Sequence, residues 1–195
     1  MNTRALLADA ARRLAAAGVD SPRVDAELLL AARLDIPRSA LVTRDEVPDS
    51  VARAYDGDLD RRVRREPLQH ITGVAPFRHL ELRVGPGVFV PRPETELLVD
   101  AVLPHLRMLH EPRVVDLCAG SGALALAVAD ELSGARVVAV ERSGSALRWL
   151  GENIAAVDVG DSEVRVLGGD LRDPELLMPL RGRADAVVSN PPYVP

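Results

Sequence analysis

Apolar residues in the first part of the chain recur every three or four positions, which is the spacing of one helix face. A first helix is predicted to begin at Thr3, which can cap it, and its apolar stripe comprises Leu6, Ala10, Leu14 and Ala17. Ser21 followed by Pro22 predicts the start of a second helix, whose apolar stripe comprises Val24, Leu28, Leu29 and Ala32. A short turn near residues 37–42 and a helix over about 50–65 would complete a small bundle, which we place at residues 1–70.

The pattern changes after residue 66. Apolar and polar residues then alternate, as in a β-hairpin, and the apolar positions are Phe77, Leu80, Leu82 and Val84. We expect residues 71–93 to form a β-hairpin linker. Four apolar runs follow, separated by helical patterns, at residues 114–117, 136–141, 164–167 and 186–189. Strands that alternate with helices predict a parallel sheet covered by helices, and hence an α/β domain over residues 94–195.

Composition narrows the function classes. The chain has 195 residues, a net charge of −5 and 24 basic residues, all of them arginine. A basic stripe is typical of nucleic-acid binding, but the densest cluster here, residues 61–65, is explained equally well as a solvated helix face. No apolar run approaches the roughly 18 residues of a membrane span, and the first residues lack a signal-peptide pattern. The single cysteine, Cys118, excludes an internal disulfide and cannot by itself make a structural zinc site. We therefore expect a soluble cytoplasmic protein without a metal and without membrane or direct nucleic-acid partners.

The last apolar run ends at Asn190, Pro191, Pro192 and Tyr193. The two prolines hold the backbone extended and donate no N–H. The carboxamide oxygen of Asn190 and the carbonyl oxygen of Pro191 can therefore accept both hydrogens of a planar NH2 group, while the Tyr193 ring lies against its flat face. A simple turn after a strand is the alternative. The tetrapeptide favours a site for an amide or amino nitrogen, and its four residues are the candidate catalytic residues.

A glycine-rich loop follows the first strand of the predicted sheet. It comprises Cys118, Ala119, Gly120, Ser121 and Gly122 and comes directly after Asp116 and Leu117. Glycine lets the backbone approach a ligand that a Cβ atom would repel. The spacing of Gly120 and Gly122 also satisfies the dinucleotide fingerprint, and Glu141, at the end of the second strand, could bind both ribose hydroxyls in either case.

Asp170 and Leu171 follow the third strand of the sheet. A carboxylate at this position can accept from the exocyclic amine of an adenine, and Leu171 can cover the ring. Asp116 carries negative charge towards a bound methionine group. Together with Asn190 these residues favour S-adenosylmethionine over a nicotinamide cofactor. The candidate cofactor residues are Asp116, Cys118, Ala119, Gly120, Ser121, Gly122, Glu141, Asp170, Leu171 and Asn190.

The segment between the hairpin and the sheet has one proline on each side of Arg92, and these two prolines prevent a helix there. Phe89 and Arg92 are candidate substrate contacts, together with residues 190–193. Glu94 and Glu96 place negative charge at the start of a helix that is predicted to run to about Leu106.

Four segments, at residues 66–73, 90–96, 116–122 and 190–193, resemble in this order the PrmC/HemK family. Members of that family are protein-(glutamine) methyltransferases that act on class I peptide chain release factors. The resemblance implies a Rossmann-like class I sheet that binds S-adenosylmethionine, with the glutamine of a Gly-Gly-Gln loop as substrate. It also implies that residues 1–70 recognise the release factor, and that Gly120, Gly122, Glu141 and the pair at residues 170–171 bind the cofactor.

The sequence departs from the family pattern in three places. Cys118 replaces a more usual glycine, and Leu171 stands where an aromatic residue often covers the adenine. The sequence stops at Pro195, where family members continue through further strands, so we expect a sheet that is incomplete at its C-terminal side. Methylation of an RNA or DNA base amine, and a non-catalytic fragment that binds a cofactor or partner, remain the alternatives.

Overall fold

The computed structural model describes residues 1–192, and the chain divides into two compact units, Met1–Gly73 and Val74–Pro195. Tyr193, one of the candidate catalytic residues, lies outside the described residues. The first unit is helical, as predicted. Its elements are α1 (Thr3–Ala16), α2 (Pro22–Leu34), a 3-10 turn (Arg38–Thr43), α3 (Asp49–Val63) and α4 (Leu68–Thr72).

Two details of the first unit differ from the sequence prediction. The cap of α1 is Asn2, whose side chain accepts from the Ala5 N–H at 3.0 Å, whereas Thr3 is the buried first residue of the helix. In α2 only Leu29 of the predicted stripe is fully buried. The buried apolar residues of α2 are instead Ala26, Leu29, Leu30 and Ala31. Because α2 contacts α1, α3 and α4, its buried face is set by three neighbours and is shifted from the predicted stripe.

The arginine cluster at the end of α3 is used within the first unit. Arg61 forms two hydrogen bonds with Glu66, at 2.5 and 2.9 Å, and Arg62 donates to Asp25 at 2.7 Å. Two of the four arginines in the cluster are therefore paired with carboxylates. This use favours a structural role for the cluster over a phosphate-binding role.

The second unit begins with an antiparallel hairpin of β1 (Val74–Phe77) and β2 (Leu80–Arg83), followed by a 3-10 turn (Pro93–Thr95). The remaining elements are α5 (Glu96–Leu106), β3 (Arg113–Leu117), α6 (Ala123–Glu131), β4 (Arg136–Glu141), α7 (Gly144–Ala156), β5 (Glu163–Gly168), a 3-10 turn (Met178–Leu180) and β6 (Ala186–Ser189). The four sheet strands are parallel, in the order β5-β4-β3-β6. The predicted α/β fold is confirmed, and the last strand of the sheet, β6, lies beside the first, β3.

The hairpin expected as a linker belongs to the second unit, because Phe77 and Leu82 are fully buried in the same core as α5, α6 and the sheet. Arg78, in the turn of the hairpin, pairs with Glu131 at the end of α6 and lies 2.8 Å from Asp100 of α5. Apolar burial and ion pairing therefore both fix the hairpin to this unit.

The strand order reverses at β3, which lies between β4 and β6. Neighbouring loops leave β3 in opposite directions at such a point, so a crevice opens beyond the carboxyl ends of the strands. The loops after Leu117 and Ser189 meet at this crevice, since these two residues are paired in the sheet. The topology therefore brings together two segments that lie about 70 residues apart in sequence.

Candidate active site

The loop after β3 is shaped by backbone bonds and by two glycines. The Ala119 N–H donates to the Val140 carbonyl at 3.0 Å, which fastens the loop to β4. Gly122 has a φ of 87°, and a Cβ atom there would lie 2.6 Å from Cδ1 of Leu150. A larger residue at position 122 would therefore strain the backbone and displace a core side chain.

Glu141 holds the loop from the end of β4. One carboxylate oxygen accepts from the Gly120 N–H at 2.9 Å, and the other accepts from the N–H groups of Arg142 and Ser143 at 2.7 and 2.8 Å. The sequence predicts contacts from Glu141 to both ribose hydroxyls. In the structure most of its acceptor capacity serves the protein backbone, which gives it a positioning role that the sequence pattern did not indicate.

Asp116 is a buried carboxyl at the carboxyl end of β3, with only 1% of its surface exposed. Its Oδ2 accepts from the Ala125 N–H at 3.1 Å, whereas Oδ1 has no hydrogen-bond partner among the described residues. Burial raises the pKa of Asp116 to about 7, although the Ala125 N–H opposes this and the nearby charge of Glu141 adds to it. Asp116 is therefore a carboxyl that a cationic ligand group could ionise and satisfy.

Asp170 and Leu171 follow β5, as predicted, but Asp170 is already paired. Arg172 donates to its carboxylate at 2.6 Å and Arg142 at 3.2 Å. The hydrogen bonds from these arginines, mainly those from Arg172, hold the pKa of Asp170 well below its usual value. Leu171 is 37% exposed. The sequence did not indicate that two arginines would share the carboxylate expected to meet the adenine.

Asn190 is positioned by the end of β6. The hydroxyl of Ser189 donates to the Leu117 carbonyl at 2.7 Å, and the Asn190 carboxamide donates through Nδ2 to Oγ1 of Thr95 at 3.1 Å. Pro191 and Pro192 are exposed. Because the loop is tied to both β3 and the start of α5, Asn190 occupies a defined place at the carboxyl end of β6.

A small cavity of about 50 Å³ joins the loop after β3 to Asn190. Its lining includes Phe89, Thr95, Asp116, Asn190 and residues 118–121. Most of the predicted cofactor loop and one predicted catalytic residue therefore meet in one cavity. Glu141, Asp170, Leu171, Gly122 and Arg92 do not line it.

Arg92 lies on the outside of this region. It is exposed, and its guanidinium carbon is 5.3 Å from the centre of the Phe89 ring. Phe89 is itself 58% exposed. The two candidate substrate contacts thus form a cation–π pair beside the cavity, with Phe89 reaching its wall.

Asn153 of α7 is a further residue of this region that the sequence did not single out. It is buried, and its Nδ2 donates to the carbonyls of Arg83 and Ser121 at 3.0 and 2.9 Å. Its Oδ1 accepts from the Arg83 N–H at 2.7 Å. An asparagine three residues after Leu150 on an apolar helix face was the available signal, since a polar residue there requires partners.

A larger cavity, of about 550 Å³, lies at the opposite, amino ends of the strands, near the first residues of β4 and β5. Its lining includes Glu111, Arg136, Asp161 and Glu163, and none of the predicted site residues. Across residues 1–192 no cluster of three His, Cys, Asp or Glu side chains could hold a metal ion. No helix in this part of the chain is long and apolar enough to cross a bilayer.

Two family models match the sequence. The model described as the PrmC N-terminal domain matches residues 5–73, and the one described as the methyltransferase small domain matches residues 80–195. Similar proteins include release factor glutamine methyltransferases from Mycolicibacterium smegmatis (45% identical over 98% of this chain), Streptomyces coelicolor (50% over 97%) and Moorella thermoacetica (40% over 100%). The matched regions cover 66%, 65% and 68% of those proteins. The chain thus spans about two thirds of the length of its relatives.

Proposed function

Since the chain belongs to the release factor glutamine methyltransferase family, we propose that it transfers a methyl group from S-adenosylmethionine to the side-chain amide nitrogen of a release-factor glutamine. The observation that carries this proposal is the shared cavity of Asn190, Asp116 and the loop after β3. A transferase for a planar nitrogen requires its acceptor group beside its donor site, and the shared cavity supports that arrangement.

The residues of the loop fit the cofactor. Among residues 1–192, a Cβ atom on Gly120 would have only Cγ2 of Val88 near it, at 4.0 Å, so none of these residues fills the space beside its backbone. The buried Oδ1 of Asp116, without a hydrogen-bond partner in residues 1–192, is the natural acceptor for an ammonium group. When bound, S-adenosylmethionine supplies a methyl group already activated by a positively charged sulfur.

Glu141 and Asp170 serve the adenosine end in this proposal. A carboxylate has about four lone-pair sites, and Glu141 uses three of them for backbone N–H groups. It can therefore accept from one ribose hydroxyl while it continues to hold Gly120. Asp170 can accept from an adenine amine only while it shares its oxygens with Arg142 and Arg172.

Asn190 and Pro191 orient the substrate amide. The nitrogen of an amide is a poor nucleophile, because its lone pair is delocalised into the carbonyl. Two acceptors, Oδ1 of Asn190 and the carbonyl of Pro191, would hold the two N–H bonds, localise the lone pair and aim it along the direction of displacement. The methylated nitrogen is strongly acidic and loses its proton without a strong base. The contribution of the chain is orientation and electrostatic support.

The first unit, Met1–Gly73, is proposed to recognise class I peptide chain release factors. Removing residues 1–65 is expected to leave cofactor binding intact and to weaken recognition of the release factor. Methylation of a base amine is disfavoured by the net charge of −5 and by the pairing of Arg61 and Arg62 with carboxylates.

A radiolabelled methyl-transfer assay that offers both a class I release factor and total RNA tests the proposal. Because this chain spans about two thirds of the length of its relatives, two forms are assayed. One is this chain, and the other is this chain joined to the remaining segment of the Streptomyces coelicolor relative. That relative serves as the positive control. Label on the release-factor glutamine is expected; label in RNA, or none in either form, would reject the proposal.

A further inference from the structure

Thr95 is the last residue of the 3-10 turn that precedes α5, and within the described residues its side chain makes no capping hydrogen bond. Its backbone is fixed by the turn before the helix, where the Thr95 N–H donates to the Arg92 carbonyl at 3.0 Å. That backbone is already helical, with φ −69° and ψ −21°, whereas an N-cap residue has a non-helical backbone. A capping role therefore does not account for the Thr95 hydroxyl.

The hydroxyl of Thr95 contacts Asn190 instead. Nδ2 of Asn190 donates to Oγ1 of Thr95 at 3.1 Å, across 95 residues of sequence. Both ends are held by their own elements, Thr95 by the turn before α5 and Asn190 by the pairing of Ser189 with Leu117. The bond therefore joins two side chains whose backbones are each held in place by other hydrogen bonds.

In the structure the Asn190 carboxamide has its nitrogen directed at Thr95, whose hydroxyl, able to donate or accept, accepts from it. The group is planar, so a nitrogen directed at Thr95 places the oxygen on the opposite side of Cγ. A substrate NH2 group offers only donors and needs an acceptor. A carboxamide turned the other way would present its own NH2 group to the substrate, with two donors facing each other.

Both residues line the small cavity that contains Asp116 and Gly120. We propose that Thr95 is a positioning residue for methyl transfer, whose hydroxyl holds the Asn190 carboxamide with its oxygen turned towards the substrate nitrogen. This inference rests on the proposed function, since it assigns an orienting partner to the acceptor of that same site.

The expected effect is moderate, because Asn190 itself is retained when Thr95 is changed. The net contribution of a neutral hydrogen bond corresponds to a loss in kcat of about 3- to 10-fold. Affinity for S-adenosylmethionine should change by less than about twofold, because the cofactor loop does not depend on this bond. A merely structural role would instead lower stability without separating kcat from cofactor affinity.

The test compares Thr95→Val, which keeps the shape and removes the hydroxyl, with Thr95→Ser, which keeps the hydroxyl. Thr43→Val is the matched control, because the Thr43 hydroxyl donates to the Ala40 carbonyl at 3.2 Å in the first unit. Methyl transfer is measured in the two forms defined above, and cofactor affinity by calorimetry. The side-chain NH2 resonances of Asn190, assigned by their loss in Asn190→Asp, are followed by NMR.

We expect Thr95→Val to lower kcat, spare cofactor affinity and shift the Asn190 resonances, with Thr95→Ser close to the parent and Thr43→Val unchanged. The inference is overturned if Thr95→Val keeps the parental kcat, if the Asn190 resonances do not move, or if Thr95→Ser is as impaired as Thr95→Val. A parent that transfers no methyl group rejects the proposed function. In that case the resonances still decide whether Thr95 holds Asn190, and unchanged resonances overturn the inference on their own.

Discussion

Replacing Asp116 with asparagine should change how the stability of the protein depends on pH. The carboxyl is almost wholly buried, and burial raises its pKa from 3.8 to about 7. Below pH 3.8 it is protonated in the folded and unfolded chain alike, so its ionisation costs nothing. As pH rises from there to about 7, the unfolded chain ionises first, and the free energy of unfolding falls. Above that pH the loss is complete.

The size of the effect follows from the two pKa values. The difference between 3.8 and about 7, at 1.36 kcal/mol per pKa unit, gives an upper value of ~4 kcal/mol. Asparagine keeps an oxygen for the Ala125 N–H and cannot ionise. Its NH2 group brings a desolvation cost of about 1–3 kcal/mol, but this cost does not vary with pH. The slope of the difference between variant and parent is therefore the quantity to measure.

Urea unfolding from pH 4 to pH 8 supplies that slope, with Asp130→Asn, an exposed change on the same helix that follows the loop, as the matched control. Glu131 and Glu66, whose pKa values are lowered mainly by arginine hydrogen bonds, lose their stabilisation as pH falls. They act equally in parent and variant, so the comparison removes them. Asp116→Asn should gain stability relative to the parent as pH rises to about 7. A difference that stays constant across this range would refute the assignment of Asp116 as a buried, protonated carboxyl.

Three further changes test other parts of the account. Glu141→Ala removes the acceptor of three backbone N–H groups and should weaken binding of S-adenosylmethionine by about 1.5–3 kcal/mol; calorimetry that finds unchanged affinity would reject its role at the cofactor site. Asn153→Ala leaves two partly buried backbone groups of Arg83 and the buried carbonyl of Ser121 without their partner and should lower the free energy of unfolding by ~3 kcal/mol; a loss below about 1 kcal/mol in urea unfolding would contradict this. Val187 is 59% exposed on β6, an edge strand of the described sheet, so Val187→Lys should reduce concentration-dependent self-association, measured by light scattering; equal association of parent and variant would contradict an edge contact.

The sequence predicted the sheet well because its signals are local. The runs that became β4 and β6 have the predicted bounds, since each is a continuous apolar segment that ends at a polar residue. Where several elements meet, local patterns were less informative. The buried face of α2 depends on three neighbouring helices, and Phe77 and Leu82 are buried by elements that lie later in the chain.

The partners of the site residues could not be derived from motifs. Asn190 and Thr95 are 95 residues apart, and the pairing of β3 with β6 and the packing of α5 against β6 bring them together. Likewise, the sequence places Glu141 at the end of a strand but does not show that nearby N–H groups occupy its oxygens. Motifs therefore indicated which residues gather at the carboxyl ends of the strands, and the structure adds the hydrogen-bond partners of each side chain. The recognition role expected of residues 1–70 and the methyl-transfer role expected of residues 94–195 remain predictions.

The most direct test of the central claim is the rate of glutamine methylation by Asn190→Ala. The assay uses a class I release factor, both forms of the protein and Asn2→Ala as a matched control in the first unit. We expect label on the Gly-Gly-Gln glutamine with the parent and the control. For Asn190→Ala we expect a kcat lower by about a hundredfold or more, with cofactor affinity nearly unchanged. A variant that retains more than about a tenth of the parental kcat would contradict the claim that Asn190 holds the reacting amide.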